Sequence, residues 1–459
     1  MQKRITEESP RRNLIRRSFL DFLELDGHFY WKTGRHHKII TDALQDVVNG
    51  KIKKLMIMLP PRHSKSETVT KKFPAWYLGF HPDKEMIISS YAADLSYDFS
   101  RIAKHTIDEW SDIFGTKLAS DSQSVQRWGI EGHRGGLVAA GVGGPITGRG
   151  ADIAIIDDPI KNRAEANSKT YRDRVWDWYG STLRTRLSPT GAIILVMTRW
   201  HEDDLVGRLL KEQPEEWTQI KLPAIAEDDD PIGRELGEAL WPERYSLEDL
   251  EEIKRDIGSF EFNALYQQRP SIIGGNIFKR DWFQYLDSSE VPKGLRLFQT
   301  IDLAISKRDT ADYFALLTFG IDQQKNVYLL DLYVDHILFP EQVKIVTHYH
   351  NKWKPLRIGI ESVQYQAALP QWLTANTAIP VLELQPSGDK VTRAMRITPH
   401  FENRKVYIVR SIPNKDVLEE QLTSFPNGAN DDVVDTVSYI GDILFKLPGK
   451  KKRPKGHKL

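Results

Sequence analysis

Cysteine is absent from the 459 residues, so the chain has no disulfide, no thiolate metal site and no cysteine nucleophile. An excess of charge of one sign is lacking too: 64 Lys and Arg stand against 63 Asp and Glu, for a formal charge of +1. Any nucleic-acid contact must then rest on local basic patches. No run approaches the ~18–20 consecutive apolar residues of a membrane span. The opening residues, MQKRITEESPRRNLIRRSF, are charged and have no apolar core, which argues against a signal peptide and for an intracellular, reducing compartment. Internal repeats are lacking as well. Aromatic area is plentiful: 12 Trp, 16 Tyr and 18 Phe suffice for real cores and exclude a wholly disordered chain. The length suits two or three domains of roughly 150 residues.

Residues 1–50 have helical spacing and stop at Gly50. Short apolar runs follow: LMIMLP at 55–60, MIISSY at 86–91, IAIIDD at 153–158 and AIILVM at 192–197. They alternate with the helical patterns LSYDFSRIAKHTIDEW and RVWDWYGSTLRTRL, which predicts a parallel α/β sheet. The stretch 211–290 is acidic and Pro-punctuated, with one helix at 246–268, and is expected to bridge two domains. Strands dominate beyond 294: LRLFQTIDLA, YFALLTFGID and VYLLDLYVDHI, with a hairpin turn at Asp322–Asn326, then RIGIES. DDVVDTVSYIGDIL at 431–444 is an amphipathic helix, and KLPGKKKRPKGHKL a basic tail. The expected division is a helical lead-in at 1–50, an α/β domain at 51–245, a bridge at 246–290, a second α/β domain at 291–447 and a tail at 448–459.

A phosphate loop, G-x-x-x-x-G-K-[ST], cradles phosphates with backbone N–H groups at a helix N-terminus. Here LPPRHSKSE at 59–67 keeps only the last two positions: Leu59 and Ser64 replace the glycines. The geometry of the loop is therefore expected to rest on Pro60 and Pro61. Pro61, Arg62, His63, Ser64, Lys65, Ser66 and Glu67 form the expected nucleotide-binding segment. Lys65 would reach the β- and γ-phosphates and the Ser66 hydroxyl would bind Mg²⁺. The strand IAIIDD ends in Asp157, for the Mg²⁺ shell, and Asp158, to orient or deprotonate the attacking water. Thr198, at the tip of AIILVMT, is placed to feel the γ-phosphate. Arg149, flanked by glycines in GGPITGRG, suits an arginine finger acting on a neighbouring subunit, with Arg62 the competitor.

Carboxylates recur in the second half. Asp302 lies inside LFQTIDLA, Glu361 ends RIGIES, and Asp431, Asp432 and Asp435 open a helix. Such acids are costly in apolar elements unless cations compensate them, and a cluster can hold two metals for phosphodiester hydrolysis. Strand Asp, later strand Glu, then helix Asp is the order of an RNase H-like nuclease. Asp309 and Asp312 are near enough in sequence to assist. Lys390 and Arg393 would touch the phosphate backbone or neutralise the acids.

With PPRHSKSE, GGPITGRGADIAIIDDP, TRWHEDDLVGRLL, IDLA, GIES and DDVVDTV in this order, the chain resembles the large terminase subunit, the packaging motor of tailed bacteriophages. The resemblance spans about residues 30 to 447. It implies an N-terminal P-loop ATPase domain of the ASCE, RecA-like class and a C-terminal RNase H-like nuclease domain. ATP and Mg²⁺ would serve the first; Mg²⁺ or Mn²⁺, two ions, the second. It implies Lys65 and Ser66 for phosphate and Mg²⁺, Asp157 and Asp158 for the acidic pair, Thr198 for coupling and Arg149 as the trans-acting finger. Asp302, Glu361 and Asp432 match the metal triad, with Asp431 a near rival. The segment at His36 and His37 falls where the family has an adenine-side motif. Asp158 stands where a longer Glu is usual. Implied partners are double-stranded DNA, the portal of a procapsid, the small terminase subunit and further copies in a pentameric ring, with no membrane. The implied location is the host cytoplasm, transiently at the portal and not in the mature virion. Two other readings are a DNA helicase or translocase unconnected with packaging and a non-catalytic prophage remnant. A helicase would need a second RecA-like lobe, where the chain has strand-borne carboxylates instead.

Overall fold

Runs of aliphatic residues between turn residues build two sheets, one in each of two compact units. The structure is a computed structural model that describes residues 10–27, 32–146, 150–271, 276–303, 313–362, 368–385, 388–428 and 430–446. The first unit comprises Met1–Lys254 and Ser259–Ile272, the second Arg255–Gly258 and Ile273–Leu459. The expected bridge at 246–290 is thus shared between them. Its helix, Leu247–Leu265, starts at a Ser246/Asp249 capping box and breaks at Gly258, where φ is +81°.

The first unit contains β1 (Lys54–Met58), β2 (Glu85–Ser90), β3 (Leu118–Ser124), β4 (Arg127–Ile130), β5 (Gly136–Gly141), β6 (Ala151–Asp157), β7 (Leu187–Met197) and β8 (Thr218–Lys221), in the order β3-β4-β5-β2-β6-β7-β1-β8. From β5 to β8 every pairing is parallel. β4 is antiparallel to both β3 and β5. Parallel strands covered on both faces need apolar residues at successive positions. β1 obeys this by alternation: Leu55 and Ile57 enter one core, Met56 and Met58 the other. Helices Arg35–Val48, Phe73–Phe80 and Ala93–Glu109 cover the first face, and Lys169–Trp178 and Leu205–Glu212 the second. β7 lies between β1 and β6. Register pairs Met58 with Met197 and Asp157 with Val196, so the carboxyl ends of the three strands are level. Ligands of open α/β sheets bind at that edge.

The second unit contains β9 (Gln284–Leu286), β10 (Arg296–Leu303), β11 (Tyr313–Ile321), β12 (Val327–His336), β13 (Arg357–Glu361), β14 (Val381–Leu384) and β15 (Val406–Val409), in the order β14-β13-β10-β11-β12-β15-β9. Only β11 runs antiparallel to its neighbours. The Asp322–Asn326 hairpin is present, with the Asp322 carboxylate accepting from the backbone of Gln324 and Asn326 at 2.8 Å. Ile301 and Leu303 of β10 face one core, while Phe298 faces the other, where helix Asp432–Lys446 packs. Thr300 and Asp302 share the Phe298 face, and the Thr300 hydroxyl donates to the Thr436 carbonyl at 2.9 Å. This alternation brings Asp302 to the first turn of that helix. Among the described residues no helix is long and apolar enough to cross a membrane.

Candidate nucleotide and metal sites

β1 leads through Leu59 and two prolines into a tight turn, and helix begins at Lys65. The turn is made without glycine. Arg62 and Ser64 both take the left-handed conformation, with φ of +63° and +65°. Shape thus resides in these two backbones more than in Pro60 and Pro61, where the sequence had placed it. Ser64 occupies the position of the second motif glycine, and left-handed backbone costs an L-residue about 1–2 kcal/mol. Ser64→Gly removes that cost but widens the unfolded ensemble. Stability is expected to stay level or rise by up to about 1 kcal/mol in urea unfolding, with ATP hydrolysis kept within about twofold. A several-fold loss of hydrolysis would mean that the Ser64 side chain itself takes part.

Beyond the turn the side chains interlock with β6. The Lys65 ammonium meets the Asp158 carboxylate at 2.9 Å. The Ser66 hydroxyl donates to Asp157 at 3.1 Å, and Thr70 donates to the other oxygen of the same carboxylate. Asp157 is 1 % exposed. Burial, then repulsion from Asp158, raises its pKa to about 7, against the pull of Lys65 and the two hydroxyls. A buried carboxylate so short of positive charge suits a hard divalent cation. Asp158 has φ of +43° and accepts from the Thr198 backbone at 2.8 Å. The Thr198 hydroxyl donates to the Leu59 carbonyl at 3.1 Å, so Thr198 ties the acidic strand to the loop.

A cavity of about 540 Å³ opens against Arg62, Ser64, Lys65, Ser66 and Glu67. Leu23, Asp26, Trp241 and Arg244 line it as well. Asp26 is held there by Lys72 at 2.8 Å and the Trp110 indole at 2.9 Å. Pro61 and His63 do not line it. His63 is fully buried, stacked on Tyr245 with centroids 5.1 Å apart, and bonded to the Pro61 carbonyl at 2.9 Å. His36 and His37 lie with centroids 3.9 Å apart and pack against Trp241. They belong to the layer of rings beside His63, not to the cavity wall, so the adenine-side expectation for them gains no contact here.

Burial drives His63 and His37 down to about 4, and His36 further, so all three are neutral at pH 7. In the unfolded chain each takes a proton near 6.5. Stability is therefore full above pH 6.5 and is lost as pH falls towards 4, because only the unfolded chain gains protons in that window. By pH 5 each histidine is expected to cost about 2 kcal/mol, read as a falling urea midpoint. A midpoint unchanged between pH 7 and pH 5 would contradict the neutral cluster.

In the second unit β10 and β13 pair in parallel up to Ile301 and Ile360, which sets Asp302 and Glu361 side by side one residue on. Asp302 is 5 % exposed. Burial holds its carboxyl well above the usual range, and Asp435, Asp432 and Glu361 add repulsion that Lys390 partly offsets. Burial also raises Asp432. Lys390 meets Asp431 at 2.6 Å and Asp435 at 2.8 Å, and Arg393 meets Asp435 at 2.7 Å. Of the two roles expected for Lys390 and Arg393, neutralising the acids is the one seen. Asp435 is thereby committed to two cations of the chain, and Asp431 to one of them. Tyr439, two helical turns beyond Asp432, donates its hydroxyl to Glu361. Among the described residues no three of these side chains already form a metal cage. The all-oxygen, mutually repelling donor set nevertheless fits Mg²⁺ or Mn²⁺.

Arg149, Asp309, Asp312 and the tail at 450–455 lie outside the described residues. Several residues near the sites carried no motif: Asp26, Trp241 and Arg244 at the cavity, Tyr439 at Glu361, and Gln268 behind Thr198. Only Tyr439 left a signal, its helical spacing from Asp432.

Comparison with known proteins follows the same lines. Residues 56–285, half of the chain, match the family model described as terminase large subunit, T4likevirus-type, N-terminal. A search of curated proteins gives no match. Among solved structures, the large terminase from a thermophilic bacteriophage superposes with a TM-score of 0.51 at 10% identity, over 88% of this chain and 98% of that one. The same phage enzyme in complex with ATP-gamma-S gives 0.52 at 10%, over 87% and 98%. At those identities the likeness concerns the fold. The nuclease domain of the large terminase from the bacteriophage SPP1, with bound Mn, gives 0.29 at 17%, over 36% of this chain and 98% of that one.

Proposed function

The chain belongs to the large terminase subunit family, and on that premise we propose that it is the motor and nuclease of viral genome packaging. It hydrolyses ATP to move double-stranded DNA into a procapsid and cuts concatemeric DNA. The observation that carries the reading is the interlock of Lys65 and Ser66 with Asp158 and Asp157 across neighbouring strand ends. Lys65 binds the β- and γ-phosphates, and the loop backbone from Ser64 onward cradles them at a helix N-terminus. Asp158, freed from Lys65 when phosphate takes its place, orients the attacking water from a position that Thr198 fixes. Ser66 and Asp157 would hold Mg²⁺, which when bound neutralises phosphate charge. In the second unit Asp302, Glu361 and Asp432, with Asp431 the rival for the last place, would hold Mg²⁺ or Mn²⁺, which when bound activates water and steadies the leaving oxygen of a phosphodiester.

The family also supports finer proposals: docking of a pentameric ring on a portal, site recognition by a small subunit, action in the host cytoplasm, and Arg149 as the finger on a neighbouring copy. Arg62 lines the cavity of its own chain, which favours a phosphate contact in cis. The test assays both reactions on one preparation: ATP hydrolysis in Mg²⁺, and plasmid cleavage in Mg²⁺, Mn²⁺ or EDTA. EDTA abolishes cleavage, and so does Asp302→Ala. Cleavage that survives both would reject the nuclease assignment; a wild-type protein without ATPase activity would reject the motor.

A further inference from the structure

Thr198 is gripped from behind. The next residue, Arg199, donates its backbone N–H to the side-chain oxygen of Gln268 at 3.1 Å. The Gln268 amide nitrogen is used as well, on the Leu265 carbonyl. The carbonyl of Trp200 accepts from Arg163, and the same guanidinium forms a two-pronged pair with Glu261, at 2.7 and 2.6 Å. Residues 198–200 are therefore held at two points, at Arg199 directly by Gln268 and at Trp200 by Arg163, which Glu261 of the 259–271 segment orients in turn; all lie inside the same unit. Gln268 is 1 % exposed and holds a left-handed backbone, φ +54°. A buried non-glycine residue in that conformation persists only where its surroundings over-determine it. Neither Gln268 nor Glu261 lines the nucleotide cavity.

We propose that Gln268 and the Arg163–Glu261 pair are positioning residues for ATP hydrolysis, setting through the 198–200 loop the angle at which Asp158 meets the attacking water. The route is short. Gln268 fixes the Arg199 N–H, the adjoining Thr198 N–H fixes one Asp158 oxygen at 2.8 Å, and the Thr198 hydroxyl fixes the loop strand through Leu59. Nucleotide binding depends on Lys65 and the backbone of the 62–66 turn, whereas the route from the clamp reaches the loop only at Leu59, ahead of that turn. Loss of the clamp must then appear in the chemical step and not in affinity. Small misplacements of a catalytic group are costly: about 1 Å can remove a hundredfold in rate. The inference rests on the ATPase reading.

The experiment measures steady-state ATP hydrolysis by the full chain for two variants. Gln268→Met keeps the side chain's size and removes its acceptor. Glu261→Gln weakens the clamp from the Arg163 end while keeping an oxygen that can face the guanidinium. Each is expected to lower kcat about tenfold with KM for ATP within about twofold. The double variant should fall by less than the product of the two, because both act on one loop. A thermal melt checks the fold of each variant, and if Gln268→Met fails to fold, Glu261→Gln alone decides. An unchanged kcat, or a loss carried by KM, overturns the proposal. A wild-type chain without ATPase activity refutes the underlying reading instead, and the two failures are told apart by that control.

Discussion

Lys65→Ala is expected to lower ATP hydrolysis about a thousandfold while leaving metal-dependent DNA cleavage within about twofold. Two losses coincide. The ammonium that would stabilise charge on the transferring phosphoryl group disappears. So does a positive charge that holds down the pKa of Asp157, already raised to about 7 by burial and by Asp158. Without it Asp157 shifts further upward and is protonated over more of the neutral range, which weakens it as a metal ligand. Raising Mg²⁺ or pH therefore recovers a little activity but does not restore the phosphate contact. The check is a pair of assays on each protein, phosphate release and plasmid nicking in Mn²⁺. Loss of both activities in a folded Lys65→Ala protein would refute two independent sites.

Asp302→Ala is expected to do the reverse, cutting cleavage by about a thousandfold or more, the several kcal/mol a metal site supplies, with ATP hydrolysis intact. A less obvious result accompanies it. Asp302 is buried beside Asp435, Asp432 and Glu361, and its carboxyl is held far above its usual range. In the metal-free protein burying that carboxyl among other acids is a burden, so Asp302→Asn, of the same shape, is expected to raise stability by about 1 kcal/mol. Urea unfolding in EDTA reads the gain, and adding Mn²⁺ should stabilise the wild type more than the variant. A destabilised Asp302→Asn protein in EDTA would mean that the carboxyl group itself stabilises the metal-free fold, against the prediction.

The central strands were legible because parallel strands covered on both faces must be apolar throughout, as Leu55–Met58 and Ile153–Ile156 are. The edge was not: β3, LASDSQS, is polar and partly exposed, and nothing in its pattern separates it from a loop. Lys65, Ser66 and Asp157 stand out by residue type at fixed spacing, so a motif singles them out, and the structure brings Ser66 to Asp157 and Lys65 to Asp158. The left-handed turns at Arg62 and Ser64 depend on backbone angles that neither residue prefers, and the eye goes to the prolines instead. Asp302, Glu361 and Asp432 could be read as a set, yet the commitment of Asp435 to Lys390 and Arg393 appears only when the helix at 390–394 is seen beside it. Gln268 is hardest of all, since its partner lies 69 residues away and a glutamine after a helix suggests nothing.

The helix broken at Gly258 has a practical corollary. The chain leaves the first unit after Lys254, returns at Ser259 and leaves again after Ile272. The two units are interleaved along the sequence, so no single cut yields both of them whole. A fragment ended at 254 would discard Glu261, Gln267 and Gln268; one carried to 272 keeps them at the expense of the 255–258 segment, which belongs to its neighbour. Gene fusions and domain exchanges between relatives face the same choice of crossover point. A motor half trimmed at the tidier-looking boundary would be born without the side chains that steady Arg163, Ile225 and Arg199.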